Sequence, residues 1–232
     1  MLERIVISRY NEDIEWLKIL NNRHRILIYN KGKPIKLYNN LDIKNIKNVG
    51  REAHTWIYHI YHNYENLDKK TLFLQGRIDD LDCMVFKNLD DYFFRLEKSE
   101  FCASRLGLLT PFHWKDNLNI ENDDRYREDW KAFKIGRNSE GFRSFAKNLF
   151  GKIPIFIPTS YGGCFSVRKE AILSYPRSFY LKLLENLERQ IHPIEAHYLE
   201  RLWYFMFSKK LSYRNAFIDV IKTKIERNTL IK

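Results

Sequence analysis

Residues 48–76 read NVGREAHTWIYHIYHNYENLDKKTLFLQG, a helical pattern that runs directly into a strand pattern. Apolar residues recur at helical spacing in its first half: Val49, Ala53, Trp56, Ile57 and Ile60. This spacing predicts a helix over about residues 51–64. The run KTLFLQG is short and apolar, and polar residues follow it, so it predicts a buried strand that ends near Gly76. A helix that leads into a buried strand is typical of α/β folds.

Two further strand patterns precede this segment. They are RIVISRY (residues 4–10) and HRILIYN (residues 24–30), both short, apolar and rich in β-branched residues. Between them lies NEDIEWLKIL, in which Asn11 can cap a helix and Glu12 and Asp13 suit the N-terminal end of that helix. The predicted order is therefore strand, helix, strand, helix, strand. It indicates an α/β fold whose mainly parallel central sheet is flanked by helices.

The second part of the chain is more helical and less regular. VFKNLDDYFFRLEK predicts a helix, and YGGCFSVRKEAI predicts a loop, a strand and the start of a helix. From residue 176 to residue 225 helical patterns dominate, with a break near Pro193. We see no internal repeat and no low-complexity linker, so we expect a single domain over residues 1–232 with a helical C-terminal part. Its two halves comprise residues 1–82 and residues 83–232.

The composition restricts the class of protein. With 44% hydrophobic residues the chain is too apolar to be disordered, and its formal net charge of +11 favours an anionic partner. Three widely spaced cysteines predict neither a zinc ribbon nor a disulfide framework. The N-terminus lacks the apolar core of a signal peptide, and no apolar run approaches the roughly 20 residues of a membrane span. We therefore expect a cytoplasmic protein, and peripheral association with a membrane stays open.

Parallel sheets bind ligands beyond the carboxyl ends of their strands. The loops expected there comprise residues 9–13, 30–33 and 75–82. In the first loop the Arg9 guanidinium suits a diphosphate, and Asn11, Glu12 and Asp13 offer hydrogen-bonding groups to a nucleotide base. In the alternative interpretation this loop is a helix cap with solvated charges.

The segment NVGRE is a second candidate for nucleotide binding. Gly50, which follows Asn48 and Val49, permits a tight turn, and Arg51 and Glu52 open a helix whose amides could face an anion. In the alternative interpretation Arg51 and Glu52 form only a surface ion pair, which would add little to stability.

The segment FLQGRIDDLD offers ligands for a metal ion. Asp79, Asp80 and Asp82 could hold Mg²⁺ or Mn²⁺ through carboxylate oxygens, and the last two form a D-x-D triplet. Gln75, which precedes Gly76, is neutral and therefore suits a sugar hydroxyl better than a metal ion. Packing or surface roles are expected for the three histidines of the preceding helix, since no carboxylate or cysteine set accompanies them: His54, His59 and His62.

A carboxylate on the last helical pattern is the candidate catalytic base. In HPIEAHYLERLWYFMF the apolar residues form one broad stripe: Ile194, Tyr198, Leu199, Leu202, Trp203, Phe205 and Met206. Glu200 lies among them, and a partly buried carboxylate has a raised affinity for its proton, which suits a general base. Glu195, about one turn earlier, is the competing candidate. In the alternative interpretation Glu200 only pairs with Arg201 or with a lysine.

Several segments, taken in order, carry a resemblance to known families. The chain resembles a family of uncharacterised domains of unknown function from fungi, algae and bacteria. The resemblance rests on the segments SRYNEDIEWL, YNKG, NVGREAHTWIYHIYHNYENL, TLFLQG, YGGCFSVRKEAI and LERLWYFMF. At a more distant level their order is similar to that in GT-A-type glycosyltransferases. In those enzymes an N-x-G-R segment opens a helix, a strand ends at a metal-binding acidic pair, and a later GG-x-F-x-V-x-R strand faces the acceptor.

The distant resemblance implies a single GT-A-like domain active in polysaccharide biosynthesis. It would transfer a sugar from a nucleotide diphosphate sugar to a glycan or another hydroxyl acceptor. Residues 1–82 would bind the nucleotide, and residues 83–232, with Gly162 and Gly163, would face the acceptor. Gln75 and Gly76 stand where the acidic pair is usual. Either a displaced site holds Mg²⁺ or Mn²⁺, or the transfer is metal-independent and basic residues offset the diphosphate charge.

Two other classes of protein remain compatible with the residues. Basic charge and aromatic side chains also suit a nucleic-acid-binding module, but no recognised motif of that class is present and we expect no specific nucleic acid. A catalytically inactive relative that still binds a sugar or a nucleotide is the other alternative, with Gln75 marking the lost chemistry.

Overall fold

A six-stranded sheet forms the centre of the described part of the chain. The computed structural model describes residues 3–19, 24–35, 41–78, 94, 99–103, 106–109, 141–154, 156–160, 162–208, 218 and 220–222. The strands of the sheet are β1 (Arg4–Arg9), β2 (Arg25–Asn30), β3 (Asp42–Asn45), β4 (Lys70–Gln75), β5 (Phe101–Ala103) and β8 (Phe165–Arg168). Two other strands, β6 (Leu106–Leu109) and β7 (Ile157–Ser160), form a separate antiparallel pair.

The described part of the chain contains α-helices and 3₁₀ helices. Its α-helices are α1 (Arg51–His62), α2 (Phe142–Phe150), α3 (Lys169–Ile172), α4 (Arg177–Leu187) and α5 (Ile194–Phe207), of which the last three follow β8. Its short 3₁₀ helices cover Glu15–Ile19 and Tyr64–Asn66. The prediction of a mixed α/β fold is therefore confirmed.

The strand order places a reversal of chain direction beside β1. The order is β3-β2-β1-β4-β8-β5, so the chain moves outward from β1 to β3 and then returns to place β4 on the other side of β1. The pairs among β1, β2, β3 and β4 are parallel, and β8 is antiparallel to both of its neighbours. The sheet is mostly parallel, as the alternating pattern predicts. Its carboxyl edge opens between β1 and β4, the kind of position where such sheets bind ligands.

Both faces of the sheet are covered. On one face Val6, Tyr29 and Phe73 pack with Trp56 of α1 and Trp203 of α5. The other face is formed by a second cluster of buried residues: Ile5, Ile7, Ile14, Leu17, Ile28, Leu72 and Leu74. Successive side chains of a strand point to opposite faces, so burial on both faces explains why these strands read as unbroken apolar runs.

The first connection differs from the prediction. NEDIEWLKIL contains the 3₁₀ helix Glu15–Ile19 rather than an α-helix within the described residues. At its start the Glu15 amide donates a hydrogen bond to Asp13 Oδ1 at 2.9 Å, and not to Asn11. The Asn11 Oδ1 instead accepts from the Lys33 amide at 2.9 Å. Asn11 therefore joins two loops, which local sequence spacing does not reveal.

Two other elements refine the predicted pattern. Strand β3 was not predicted, because its residues DIKN are largely exposed at the edge of the sheet and carry little apolar signal. Helix α1 ends at His62 rather than residue 64, and a 3₁₀ turn follows it. The predicted strand at β8, the helix start at α3 and the helical break near Pro193 are all confirmed.

Several expectations concern parts that the described ranges touch only partly. VFKNLDDYFFRLEK lies outside the described residues except for Phe94, and so does the boundary after residue 82. The single domain stays a prediction, although β8 and β5 belong to the same sheet as the first four strands. Within the described ranges, no helix has both the length and the apolar character needed to cross a bilayer. Cys164 is disulfide-bonded, which the wide cysteine spacing did not indicate, whereas Cys102 is a buried cysteine of β5.

Candidate functional site

A cleft of about 650 Å³ opens at the carboxyl ends of β1, β2 and β4. The described residues that line it are Ser8, Arg9, Tyr10, Glu12, Lys31, Asn48, Arg51, Glu52, Gln75, Arg77, Ile191 and His192. Residues of all three predicted loops and of NVGRE therefore meet in one place. Ser8 and Gln75 lie opposite each other in the register of β1 and β4, so the cleft is centred on the reversal in strand order.

The described lining carries more positive than negative groups. The cations are Arg9, Lys31, Arg51 and Arg77, and the carboxylates are Glu12 and Glu52. Low-dielectric walls strengthen the field of such a group of charges, so the cleft favours an anion that also has hydrogen-bonding atoms. The overall net charge of +11 pointed to an anionic partner, and the cleft is one place where that charge is concentrated.

Arg9 joins the first two loops. Its Nε donates to the Glu12 carbonyl oxygen at 2.9 Å, and its Nη1 donates to Asn30 Oδ1 at 2.7 Å and to the Lys33 carbonyl oxygen at 3.0 Å. Asn30 is itself buried and donates to Asn45 Oδ1 at 3.0 Å. The side chain that we expected on a diphosphate thus holds together the ends of β1 and β2 and the loops that follow them, and Asn30 extends this link to β3.

Glycine is required where these two loops meet. A Cβ atom on Gly32 would lie 1.7 Å from the Tyr10 carbonyl oxygen, far inside any tolerable contact. The two backbones therefore touch directly at this point. This contact, together with the bonds of Arg9 and Asn11, fixes the side of the cleft formed by β1 and β2.

Glu12 covers the end of β4. Its Oε2 accepts a hydrogen bond from the Tyr10 amide at 2.6 Å. The backbone of Gly76 lies beside the Glu12 side chain. The Gly76 amide donates to the Ser8 carbonyl oxygen at 2.7 Å, and the Gly76 carbonyl oxygen accepts from Trp16 Nε1 at 2.8 Å. Gly76 is thus a fully engaged part of the strand end.

A left-handed corner precedes α1. Gly50 has φ 62° and Arg51 has φ 53°, and Arg51 is the one non-glycine residue with a positive φ among the described residues. Such a conformation costs on the order of 1–3 kcal/mol in a non-glycine residue and is concentrated at functional sites. The Gly50 amide donates to the Gln190 carbonyl oxygen at 3.0 Å, and the Arg51 amide donates to that of Ile191 at 3.3 Å. The Arg51 amide, the first of the helix amides expected to face an anion, thus binds the α4–α5 loop instead, as does the Gly50 amide.

Lys31 is a buried cation that the sequence interpretation missed. Its Nζ donates to the Val49 carbonyl oxygen at 2.6 Å and also to the Arg51 carbonyl oxygen. Burial lowers the pKa of Lys31 to about 7, although the charge of Glu52 acts in the opposite direction. Its place in the NKGK turn after β2 was visible, but its burial depends on a segment nearly 20 residues later.

Gly163 of the predicted glycine pair lies against two residues of the cleft lining. A Cβ atom on Gly163 would lie 2.7 Å from Gln75 Nε2 and 2.8 Å from Glu52 Cγ. The absence of a side chain at Gly163 therefore lets Gln75 and Glu52 approach the turn before β8. Gly162 has φ 84°, and its amide is bound by Glu200.

Glu200 anchors this turn and does not have the expected proton affinity. Its Oε1 accepts from the Gly162 amide at 2.7 Å, and its Oε2 lies 3.8 Å from His197 Nδ1. Burial raises the pKa of Glu200, but the neighbouring His197 side chain, the charge of Arg201 and the Gly162 amide outweigh it and hold the pKa at about 2. The expectation of a raised pKa is therefore wrong. Glu200 is not among the described residues that line the cleft, and neither is Glu195, which lies half-buried in the first turn of α5.

The three histidines of α1 have aromatic and polar neighbours. His54 Nε2 lies 3.4 Å from Glu188 Oε1, and His59 Nδ1 lies 3.2 Å from the Tyr29 hydroxyl. The ring of His62 packs on that of Tyr58, with 4.1 Å between the centroids.

The predicted metal ligands Asp79, Asp80 and Asp82 lie outside the described residues. In the part of the chain that is described, no three His, Cys, Asp or Glu side chains are grouped as a metal site.

A second pocket of about 530 Å³ adjoins the cleft. Its described lining consists of Glu12, Asp13, Glu15, Trp16, Arg77 and Ile78. Glu12 and Arg77 belong to both cavities, so they form the wall between them. Asp13, predicted to bind a nucleotide, therefore lies on the far side of Glu12 from the main cleft.

Comparison with known proteins identifies a family for the chain. A family model described as "Protein of unknown function (DUF3431)" matches residues 5–219. No curated protein and no solved structure matches the chain. The match covers nearly the whole chain, in agreement with the resemblance to a family of uncharacterised domains. The resemblance to glycosyltransferases stays an expectation.

Proposed function

The chain belongs to the DUF3431 family of proteins of unknown function, and from its cleft we propose that it transfers a sugar from a nucleotide diphosphate sugar to a hydroxyl acceptor. One observation carries the proposal. The cation-rich cleft lies at the carboxyl edge of a mostly parallel sheet, between β1 and β4, where the strand order reverses. Mononucleotide and dinucleotide ligands bind at this position in many doubly wound sheets.

The diphosphate is assigned to the cations that face the cleft from three segments. Arg51 approaches from the start of α1, Arg77 from the loop after β4, and Lys31 from the loop after β2. A guanidinium matches two phosphate oxygens at once, and a lysine supplies a compact charge. Arg9 and Asn11 are assigned an indirect role, because their polar atoms hold the loops that carry Lys31 and Glu12.

No step of the proposed reaction is routed through a metal ion. The two carboxylates of the described lining have other neighbours, since Glu12 accepts from the Tyr10 amide and Glu52 Oε2 lies 3.7 Å from Arg51 Nε. Neither belongs to a group of acidic ligands within the described residues. Metal dependence through Asp79, Asp80 or Asp82 stays a prediction. In the cleft itself, the developing charge on the leaving diphosphate is offset by Lys31, Arg51 and Arg77.

Glu52 is the carboxylate assigned as catalytic base. It lines the cleft and lies against Gly163 together with Gln75, whose amide suits a sugar hydroxyl. Glu200, with its pKa held at about 2, has little affinity for a proton. In the proposed step the acceptor oxygen attacks the anomeric carbon and the bond from that carbon to the diphosphate oxygen breaks. The bonding electrons leave with the diphosphate, and the acceptor proton passes to Glu52.

The decisive experiment is a thermal-shift panel of nucleotides and nucleotide sugars, each with and without Mn²⁺. A ligand that binds only the native state raises the melting temperature according to its concentration and affinity. We expect a shift with at least one nucleoside diphosphate. A panel with no shift would remove the proposed function. Binding of a nucleotide sugar without its turnover by any hydroxyl acceptor would leave the inactive relative as the better description.

A further inference from the structure

A buried amine closes the corner at the start of α1. Lys31 has only 9% of its surface exposed, and it lines the cleft. Its Nζ donates to Val49 O and to Arg51 O, the carbonyls on either side of Gly50. Gly50 and Arg51 both have left-handed backbones, so the corner is strained. The two hydrogen bonds hold the amine at this corner.

The two carbonyl acceptors around the Lys31 amine match the number of N–H donors of its neutral form. A neutral amine has two N–H groups and an ammonium has three. The two carbonyls accept one bond each, which satisfies the neutral form. The ammonium carries one further N–H, and a phosphate oxygen is a strong acceptor for it.

We propose that Lys31 is a proton-linked binding group for a diphosphate, which gains a proton when the ligand enters the cleft and loses it when the ligand leaves. The class of ligand rests on the proposed function. The proton coupling rests on the buried amine, its two carbonyl partners and its position in the cleft wall.

The charges around Lys31 set the direction of this coupling. Burial lowers the pKa of Lys31 to about 7, and Glu52 on α1 acts against that shift. His54, also on α1, stays neutral near pH 7 because burial first, and the charge of Lys31 second, lower its pKa to about 3. The other charged or titratable groups of the described cleft wall are Arg9, Glu12, Arg51, Arg77 and His192. A dianionic ligand among them favours the charged amine, so it raises the pKa of Lys31.

The sign of the effect follows from linkage. Near pH 8 the amine of the free protein is mostly neutral, and a terminal phosphate, with a second pKa of about 6, is already dianionic. Binding near pH 8 should therefore take up about one proton, and binding near pH 6 should take up far less. The affinity should fall between about pH 7 and pH 9, by up to about tenfold per pH unit.

Calorimetry with UDP as the probe tests the proposal on the full chain. UDP is titrated near pH 8 in buffers that differ in ionisation enthalpy, and the difference in heat gives the protons taken up. Wild-type protein should take up about one proton per UDP. Lys31→Arg, which keeps a charge that does not titrate, should bind UDP without that uptake. Lys44→Met, on the exposed strand β3, is the matched control and should behave as wild type.

The possible outcomes separate the two proposals. UDP binding without proton uptake, or with the same uptake in Lys31→Arg, overturns the role of Lys31 and leaves the proposed function standing. If neither UDP nor any other nucleoside diphosphate gives heat but inorganic pyrophosphate binds with uptake, the nucleotide function falls and the role of Lys31 stands. If none of these ligands binds, both fall. Should Lys31→Arg not fold, carbon-13 NMR of the wild-type lysine side chains decides: one lysine must titrate near neutral pH and move upward with UDP.

Discussion

Arg9 Nη1 donates a 2.7 Å hydrogen bond to Asn30 Oδ1, and the two residues are also partners in the parallel register of β1 and β2. The bond joins the last residues of two neighbouring strands just where the cleft begins. The guanidinium, which also lines the cleft, thus holds together the loops that form this side of it.

Arg9→Lys should destabilise the fold. A lysine keeps the charge but does not reproduce the planar fork that reaches Glu12, Asn30 and Lys33 together. We expect the free energy of unfolding to fall by about 1–3 kcal/mol, the cost of leaving buried polar groups unpaired. Urea unfolding measures this, with Arg189→Lys, an exposed residue after α4, as the control. Full stability combined with lost UDP binding would show that Arg9 contacts the ligand directly.

Replacing Arg51 should separate stability from binding. Its φ of 53° is a conformation that glycine adopts freely and alanine does not. Arg51→Gly should therefore be more stable than Arg51→Ala by roughly 1 kcal/mol. Both variants should bind UDP less tightly, because both lose the guanidinium. Chemical denaturation and a thermal-shift titration give the two quantities, and equal stability of the two variants would contradict the strained corner.

Glu200→Gln should cost stability in a pH-dependent way. The pKa of Glu200 falls from its ordinary 4.5 to about 2 in the folded protein, so the carboxylate stabilises the fold above pH 4.5 and this contribution is lost as the pH falls toward 2. We expect Glu200→Gln to be less stable than wild type by about 1–3 kcal/mol at neutral pH, with the difference shrinking in acid. The comparison is made by urea unfolding across this pH range. Glu195→Gln serves as the control, and a pH-independent difference would show that the carboxylate's charge is not involved.

Glu52→Gln should abolish transfer while nucleotide binding persists. Loss of a general base lowers turnover by about 100-fold or more. The assay follows nucleotide release from the nucleotide sugar that gives the largest thermal shift, and the same shift reports binding. Glu200→Gln should retain turnover in this assay. The opposite pattern, with an active Glu52→Gln and an inactive Glu200→Gln, would return the catalytic role to Glu200.

Local patterns were enough to predict the centre of the fold. Strands β1, β2 and β4 are buried on both faces, so each carries a continuous apolar run that is visible without any partner. The parallel arrangement then brought three predicted loops to one edge. Strand β3 was not predicted because it is short and largely exposed, and its strand conformation is defined by backbone pairing with β2.

The site was predictable in its location more than in its chemistry. Arg9 and Gln75 were expected at the cleft because they end strands. The amine of Lys31 was not, since its burial arises from carbonyls at residues 49 and 51. The pKa of Glu200 depends on burial, on its near neighbours His197 and Arg201, and on the amide of Gly162, which lies 38 residues earlier in the chain. The burial of Lys31 and the bond from Gly162 are contacts between distant segments, on which local spacing carries no information.

The close approach of Gly32 to the Tyr10 carbonyl oxygen shows which related chains can share the loop arrangement of this protein. Any side chain at position 32 would push the first two loops apart, whatever its polarity. In a library of variants selected only for folding, this position should remain glycine even when the cleft residues drift. A relative with another residue there must route these loops differently, and a role for its cleft should not be transferred from this protein.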